Sequence, residues 1–429
     1  MRAALKNTTT QNNQDKSLGL KIYITAILFS SLSIFIQAIP ITTAPNFESA
    51  LSLSHTKFVY LTSLFFIPYS IMQLPGGILF DKYGLKYILP SAIFLTSIGI
   101  ILYWFAPTTS ILVTSRFIAG LGCSVAYIAG VYAAARYFSS AKLAILISIL
   151  ELVSTGGSLV AANPLELSLK YLGWNITGYL IISVYLGLFI CALTFAKRLP
   201  HQNHSHLSLW QSLLKAFTLF KNKALLCIFA YSFLVWFIIM SFAGYWLHDY
   251  LMVMHDYSNS YSLSMVETYW ISFLITSFII GYLTKSDKSA KINLLIVAGL
   301  GFLTFTTMAI PVLFNRLEIL FVIIAAGISA TGIIIAFSLV PRFVAVEFEG
   351  SAVAMNNTFV VLGGYCGQVS FGWMVSHFDI TDYFDIIRDE NIDPNRYSAL
   401  FLYVIATALS FIIAILITRN INKYPQPKA

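Results

Sequence analysis

The sequence predicts an all-α membrane protein of twelve transmembrane helices, arranged as two pseudo-symmetric six-helix bundles. Apolar residues make up 58% of the 429-residue chain and charged ones only 10%, with a mean hydropathy of +0.78. A soluble domain carries about 25% charged residues. The apolar residues fall into twelve runs, each near the roughly 20 residues with which a helix crosses a bilayer. Glycine and charge patterns of the first six runs also recur at nearly one spacing in the last six.

The runs lie near 21–43, 56–80, 88–106, 111–135, 143–168, 175–195, 224–248, 263–284, 292–314, 319–341, 351–377 and 398–418. They imply a polar tail at 1–20, a first bundle at 21–195, a linker at 196–223, a second bundle at 224–418 and a tail at 419–429. The first run is too long for a cleaved signal and reads as a true span. An even number of spans puts both termini on one side. Twenty of the 26 Lys and Arg lie in the termini and the even-to-odd connections, while the opposite loops hold only Lys57, Lys170, Arg316, Arg388 and Arg396. Basic residues accumulate in cytoplasmic loops, so both termini are expected in the cytoplasm. Acids show the reverse bias in Asp379, Asp382, Asp385, Asp389, Glu390 and Asp393.

The charge of +8 does not point to nucleic acid, because the basic residues are scattered through short loops with no continuous stripe. Cys123, Cys191, Cys227 and Cys366 lie in apolar segments without CxxC spacing and read as small hydrophobes. The linker carries His201, His204 and His206 with no Cys or acid nearby, which favours solvated histidines over a metal site. Leu207, Trp210, Leu213, Leu214, Phe217 and Phe220 then recur at helical spacing, with Lys215 and Lys221 off the stripe, as in an interfacial helix. No connection is long enough for a catalytic domain. No cofactor or metal is expected, and the chain reads as a monomer.

Duplication is suggested by two echoes. Gly77, Asp81 and Lys86 after the second run are echoed by Gly281, Lys285, Asp287 and Lys288 after the eighth, and Gly156-Gly157 in the fifth by Gly363-Gly364 in the eleventh. Halves so related place a substrate near the midplane between them.

The segment Gly77-Ile-Leu-Phe-Asp81-Lys82-Tyr-Gly84-Leu-Lys86 interrupts two apolar runs with a charged turn, in which Gly84 can take a positive φ. It resembles the signature loop of the major facilitator superfamily, G-x-L-x-D-[RK]-x-G-x-[RK]. Arg116 to Gly122 resembles that family's fourth-helix motif, R-x-x-x-G-x-G. The wider stretch Tyr69…Gln73…Pro75…Gly77…Leu79…Asp81, with Ala133 to Phe138 and Gly173-Trp174, is similar to one branch of the superfamily. That branch includes bacterial phagosomal nutrient transporters and the lysosomal dipeptide transporter. The resemblance implies the two-bundle transporter fold, a gating role for Gly77, Asp81, Lys82, Gly84, Lys86 and Arg136, and an amino acid, peptide or nucleoside as cargo. The second-half loop departs from the pattern, with Lys285 and Asp287 where an acid and a base are usual. Span 5 has Ala162-Asn163-Pro164 where drug exporters have a glycine-proline signature.

Ionisable residues inside a membrane are costly and mark function. Arg116 must find acceptors, water or a substrate carboxylate, because its guanidinium does not lose its proton. Glu151 lies nine residues past Lys142, roughly 13 Å into the bilayer. Ser148, Glu151, Thr155 and Ser158 share one helix face. A carboxyl buried there without a cation is suited to bind and release a proton. Glu267, near the end of span 8, is the weaker candidate. Gln37, Tyr69, Gln73, Tyr127, Tyr231, Trp236, Tyr245, Asn356, Asn357 and Gln368 join Arg116 as candidate substrate contacts, since small-molecule sites combine apolar walls with a few polar groups. The expected function is proton-coupled uptake of a small polar metabolite, an amino acid or short peptide, by alternating access. The alternatives are an exporter of a siderophore, metabolite or drug and, remotely, a membrane-embedded enzyme or sensor.

Overall fold

In a computed structural model of the chain the apolar runs are helical, and no strand occurs among the described residues, 2–161, 163–196, 209–310, 314–377 and 398–421. Ten helices among them are long and apolar enough to cross a membrane. His201, His204, His206 and the acidic stretch from Asp379 to Asp393 lie outside the described residues. The chain divides into two compact units, Met1–Phe217 with Val344–Met355, and Thr218–Phe343 with Asn356–Ala429.

The first unit begins with α1 (Arg2–Leu51), α2 (His55–Ser63), α3 (Phe66–Ile71) and α4 (Gln73–Trp104). The run expected as one span at 56–80 is thus broken twice. Pro68 and Pro75 have no N–H for the carbonyls of Leu64 and Ile71 four residues back, so the helix stops at each of those points. α4 in turn joins the end of the second run to the third across Gly84, at φ 66° and ψ 179°. That combination belongs essentially to glycine. The unit continues with α5 (Thr109–Cys123), α6 (Ala126–Tyr137), α7 (Ser140–Ala161), α8 (Asn163–Ala196) and α9 (Leu209–Ala216). α8 carries a second break of the same kind at Gly173. Beside it, Trp174 and Trp104 stack at 4.5 Å, and each indole N–H donates to the other residue's carbonyl. α9 realises the core of the amphipathic stripe and packs on α4.

Arg116 of α5 is 1% exposed and explains how α1, α2 and α5 hold together. Its Nη1 donates to the Ile36 carbonyl at 2.7 Å and its Nε to the Thr62 carbonyl at 3.1 Å. Neither carbonyl has the usual helical partner four residues on, although that of Thr62 also accepts the Phe65 N–H at 3.3 Å. Residue 40, four beyond Ile36, is Pro40 and has no N–H, and α2 ends one residue past Thr62. The guanidinium also lies over the rings of Phe65 and Tyr103, at 4.9 and 5.4 Å. Its face and two of its donors are therefore engaged by the protein.

The second unit contains α10 (Lys223–Ile238), a π-helical segment Ile239–Trp246, α11 (Leu247–Met254), α12 (Asn259–Leu283), α13 (Asp287–Met308), α14 (Arg316–Ala330), α15 (Gly332–Leu339) and α17 (Ser398–Ile421). α16 (Glu349–His377) begins in the first unit and belongs to the second from Asn356 onward. Span 7 thus passes from α into π geometry, and span 10 breaks at Thr331. An aromatic core of Phe242, Trp246, Phe305 and Tyr403 packs beside the π segment, with centroids 5.0–6.4 Å apart.

Two stability predictions follow from these breaks. Gly84→Ala should destabilise the purified protein by about 1–3 kcal/mol, whereas Gly156→Ala, whose new Cβ meets nothing within 4 Å, should not; thermal unfolding in detergent measures both. Arg116→Leu leaves the Ile36 carbonyl unpaired, at about 1–3 kcal/mol, and takes one donor from the Thr62 carbonyl, which keeps the Phe65 N–H. Adding Pro40→Ala to that variant should restore part of the loss by returning an N–H to Ile36, and an additive further loss would refute the pairing.

Candidate functional site

The turn between spans 2 and 3 presents Asp81 to the first turn of α16. One carboxylate oxygen accepts the Gly350 N–H at 2.7 Å, and the other accepts the Ser351 N–H at 2.8 Å and the Ser351 hydroxyl at 2.5 Å. The leading N–H groups of a helix have no partner within it, and its dipole favours an anion at that end. Glycine makes the approach possible. A Cβ on Gly350 would lie 2.7 Å from both Asp81 Oδ1 and the Gly77 carbonyl, and one on Gly77 would lie 2.3 Å from Ala354 Cβ. Glu349, 9% exposed, adds a second acid at the same turn, with Arg136 of α6 as its electrostatic neighbour. Lys82 and Lys86 lie over the rings of Tyr83 and Tyr87. The sequence singled out Asp81, Gly77 and Arg136 but not Glu349, Gly350 or Ser351, which carry no signature of their own.

The second unit contains a related pair that the glycine-based alignment obscured. Arg342, in the turn after α15, donates to Asp287 in the first turn of α13. Asp81 and Asp287 are 206 residues apart, and so are Arg136 and Arg342. Aligning Gly77 with Gly281 slides the repeat by two residues and makes Asp287 look like an acid in a basic position. At 206 it is the counterpart of Asp81. The same offset carries Glu151 onto Asn357.

Glu151 sits inside α7 and is 8% exposed. The Tyr127 side chain, from α6, faces its carboxyl, and Tyr23 and Tyr69 lie close enough to interact electrostatically with Tyr127. The Tyr23 hydroxyl donates to the Leu146 carbonyl at 2.5 Å. Ser148 and Ser158, on the Glu151 face, turn their hydroxyls back to Ala144 and Thr155 of their own helix. One position along, Ser154 bonds Ser30 of α1 at 2.7 Å. The structure therefore brings Tyr127, Tyr69 and Glu151 into one neighbourhood, with Tyr23 as a member that sequence spacing could not reveal. Arg116 stands apart among carbonyls and rings.

The remaining candidates divide. Gln37 donates to Ser33 of its own helix at 3.2 Å. Gln73 is fully buried, and Tyr69 stacks on Phe65 at 5.5 Å. In the second unit Asn356 and Asn357 are buried, and both polar atoms of Asn356 lack a partner among the described residues. Trp236 packs on Gly364. Glu267 is exposed. The side chains of Tyr245 and Gln368 lie outside the described residues. No cluster of His, Cys, Asp or Glu that could hold a metal occurs among the described residues.

The family model of the Major Facilitator Superfamily matches residues 24–368. No curated protein matches the chain in sequence. Among solved structures, a bacterial homologue of the iron transporter ferroportin in its outward-facing state has a TM-score of 0.74 at 13% identity, over 94% of this chain and 99% of that one. The human organic anion transporter MFSD10 gives 0.69 at 12%, over 92% and 99%. The proton:xylose symporter XylE bound to 6-bromo-6-deoxy-D-glucose gives 0.66 at 13%, over 96% and 97%. At these identities the likeness speaks for the fold. The family match across most of the chain, on a helical membrane fold, identifies this protein as a member of the major facilitator superfamily, a multi-pass transporter and not an enzyme.

Proposed function

We propose that the protein is a proton-coupled carrier that takes up a small polar metabolite, an amino acid or short peptide, by alternating access. The observation that carries this is Glu151, a carboxyl buried within a span and facing Tyr127. A buried acid with a hydroxyl neighbour and no cation beside it can exchange a proton at modest cost, whereas a permanent charge there would be expensive. Of the other buried acids among the described residues, Asp81 is held by the first N–H groups of α16, and Glu349 has Arg136 as its electrostatic neighbour at the same turn. The proton-coupled sugar symporter among the structural neighbours supports coupling as a property compatible with this fold. The cargo class rests on the Tyr69–Asp81 resemblance. On this reading Tyr127, Tyr69 and Gln73 contact substrate from the first unit, and Tyr231, Trp236, Tyr245, Asn356, Asn357 and Gln368 are candidates from the second. Arg116 is assigned to structure. The proposed setting is a bacterial inner membrane with both termini in the cytoplasm.

Asp81 is proposed as a latch in the transport cycle. Asp81→Asn removes charge-assisted bonds worth about 1.5–3 kcal/mol. Uptake should fall by about tenfold or more, at roughly tenfold per 1.4 kcal/mol, while insertion into the membrane stays normal. Wild-type turnover in the variant would reduce the loop to a plain turn.

Coupling is tested at Glu151. Glu151→Gln imitates the protonated form permanently. In proteoliposomes it should abolish accumulation of radiolabelled amino acids or dipeptides under an inward proton gradient, yet preserve counterflow exchange, which needs no net proton release. Concentrative uptake at the wild-type level would remove Glu151 from the mechanism.

A further inference from the structure

A small cavity lies within the second unit, lined by side chains of α10, α12, α13, α14 and α17. Counted over the positions that a water centre can take, its volume is about 20 Å³. A single water needs about 10–15 Å³ on that measure. The site is too small for a metabolite, and its walls are chemically specific. Five hydroxyl-bearing residues, Tyr231, Tyr269, Ser329, Thr407 and Ser410, are among those that line it, from four helices.

These hydroxyls fall into two classes. The protons of Ser329, Thr407 and Ser410 are already given to carbonyls of their own helices, at Ala326, Tyr403 and Ala406, with distances of 2.7, 2.7 and 2.8 Å. Their oxygens remain as acceptors. Tyr231 and Tyr269 are 0% and 1% exposed, and no hydrogen bond of either hydroxyl occurs among the described residues. They are buried donors in need of an acceptor, since a buried polar group left unmet is costly. Only a guest that both donates and accepts satisfies the two classes together. A monovalent cation would use the serine and threonine oxygens but offer nothing to the tyrosine protons.

We infer that this cavity is a buried water site, held by the Tyr231 and Tyr269 hydroxyls as donors and by Ser329, Thr407 and Ser410 as acceptors. Its position adds a second observation. Ile238 and Ile239, at the junction of α10 with the π segment, line one side, and Ser329 and Ala330, at the break of span 10, line another. The Tyr231 hydroxyl presses on Gly332, where a Cβ would lie only 2.0 Å from it. The guest therefore sits between the two irregular helices of the unit. Bound water commonly serves polar groups at such places, with about three hydrogen bonds. This assignment moves Tyr231 from the substrate candidates to an internal role, and it stands whether or not the transport reading holds.

Hydroxyl-radical labelling of the full-length protein in nanodiscs, driven by brief X-ray pulses and read by mass spectrometry, marks side chains beside bound water. Tyr231 and Tyr269 should label several-fold faster than Tyr103 and Tyr185, which are equally buried but bonded to Thr43 and the Leu32 carbonyl. Gly301→Ala puts a methyl 3.2 Å from Ser329 Cβ and should bring both rates down toward the controls. Thr407→Val, which removes one acceptor, should do the same should the alanine variant fail to fold. Labelling no faster than the controls, or unchanged in the folded variants, would overturn the site. Labelling that changes when sodium and potassium are replaced by choline would make it a cation site instead.

Discussion

In a bilayer the main chain must satisfy its own polar groups, because lipid offers none. Most of what is particular about this protein occurs where the chain breaks that rule locally and repairs it from elsewhere. Pro40 frees the Ile36 carbonyl, the end of α2 leaves that of Thr62 to a 3.3 Å bond from the Phe65 N–H, and Arg116 answers both. The start of α16 exposes N–H groups, and Asp81 answers those. In each case a costly buried charge meets an unsatisfied backbone, and the two liabilities cancel. That account explains a fully buried arginine with no carboxylate beside it among the described residues, for which substrate binding would otherwise be the default reading.

The same logic separates structure from function among the ionisable residues. Arg116 is consumed by the fold. Asp81, Glu349 and Arg136 serve the turn that joins the second and third spans to the head of α16. Among the described residues Glu151 meets no helix end and no cation, and the Tyr127 side chain faces it. Its burial is not explained by backbone repair, which is why the coupling proposal rests there.

Much of this was legible beforehand. Hydropathy located the spans, because bilayer thickness sets helix length, and the Gly77–Lys86 segment announced its turn, because only glycine tolerates the geometry at residue 84. Breaks were harder to see. Pro68 and Pro75 interrupt what hydropathy alone reads as one span at 56–80, and the π segment at Ile239–Trp246 has no proline or charge to betray it. Contacts between distant residues were mostly invisible. Pro40 four residues beyond Ile36 does flag a free carbonyl, but nothing in the spacing says that residue 116 takes it. The repeat was visible, yet its register was misjudged, since glycines follow helix packing and drift, whereas the acid and arginine pairs keep a strict interval.

That strict interval of 206 residues has a consequence for the ancestry of the two halves. A duplicated gene begins with two equivalent turns, each equipped with the same acid and arginine. Here the two turns carry an acid and an arginine at one interval but wire them differently. Asp287 has settled on the arginine of its own half, whereas Asp81 has left its arginine to Glu349 and taken the end of a helix encoded some 270 residues away. One copy has become a fixed brace and the other a long-range clasp. Selection on the two turns should accordingly differ: the brace tolerates any exchange that preserves a matched pair, while the clasp ties Asp81 to glycines that no other residue can replace.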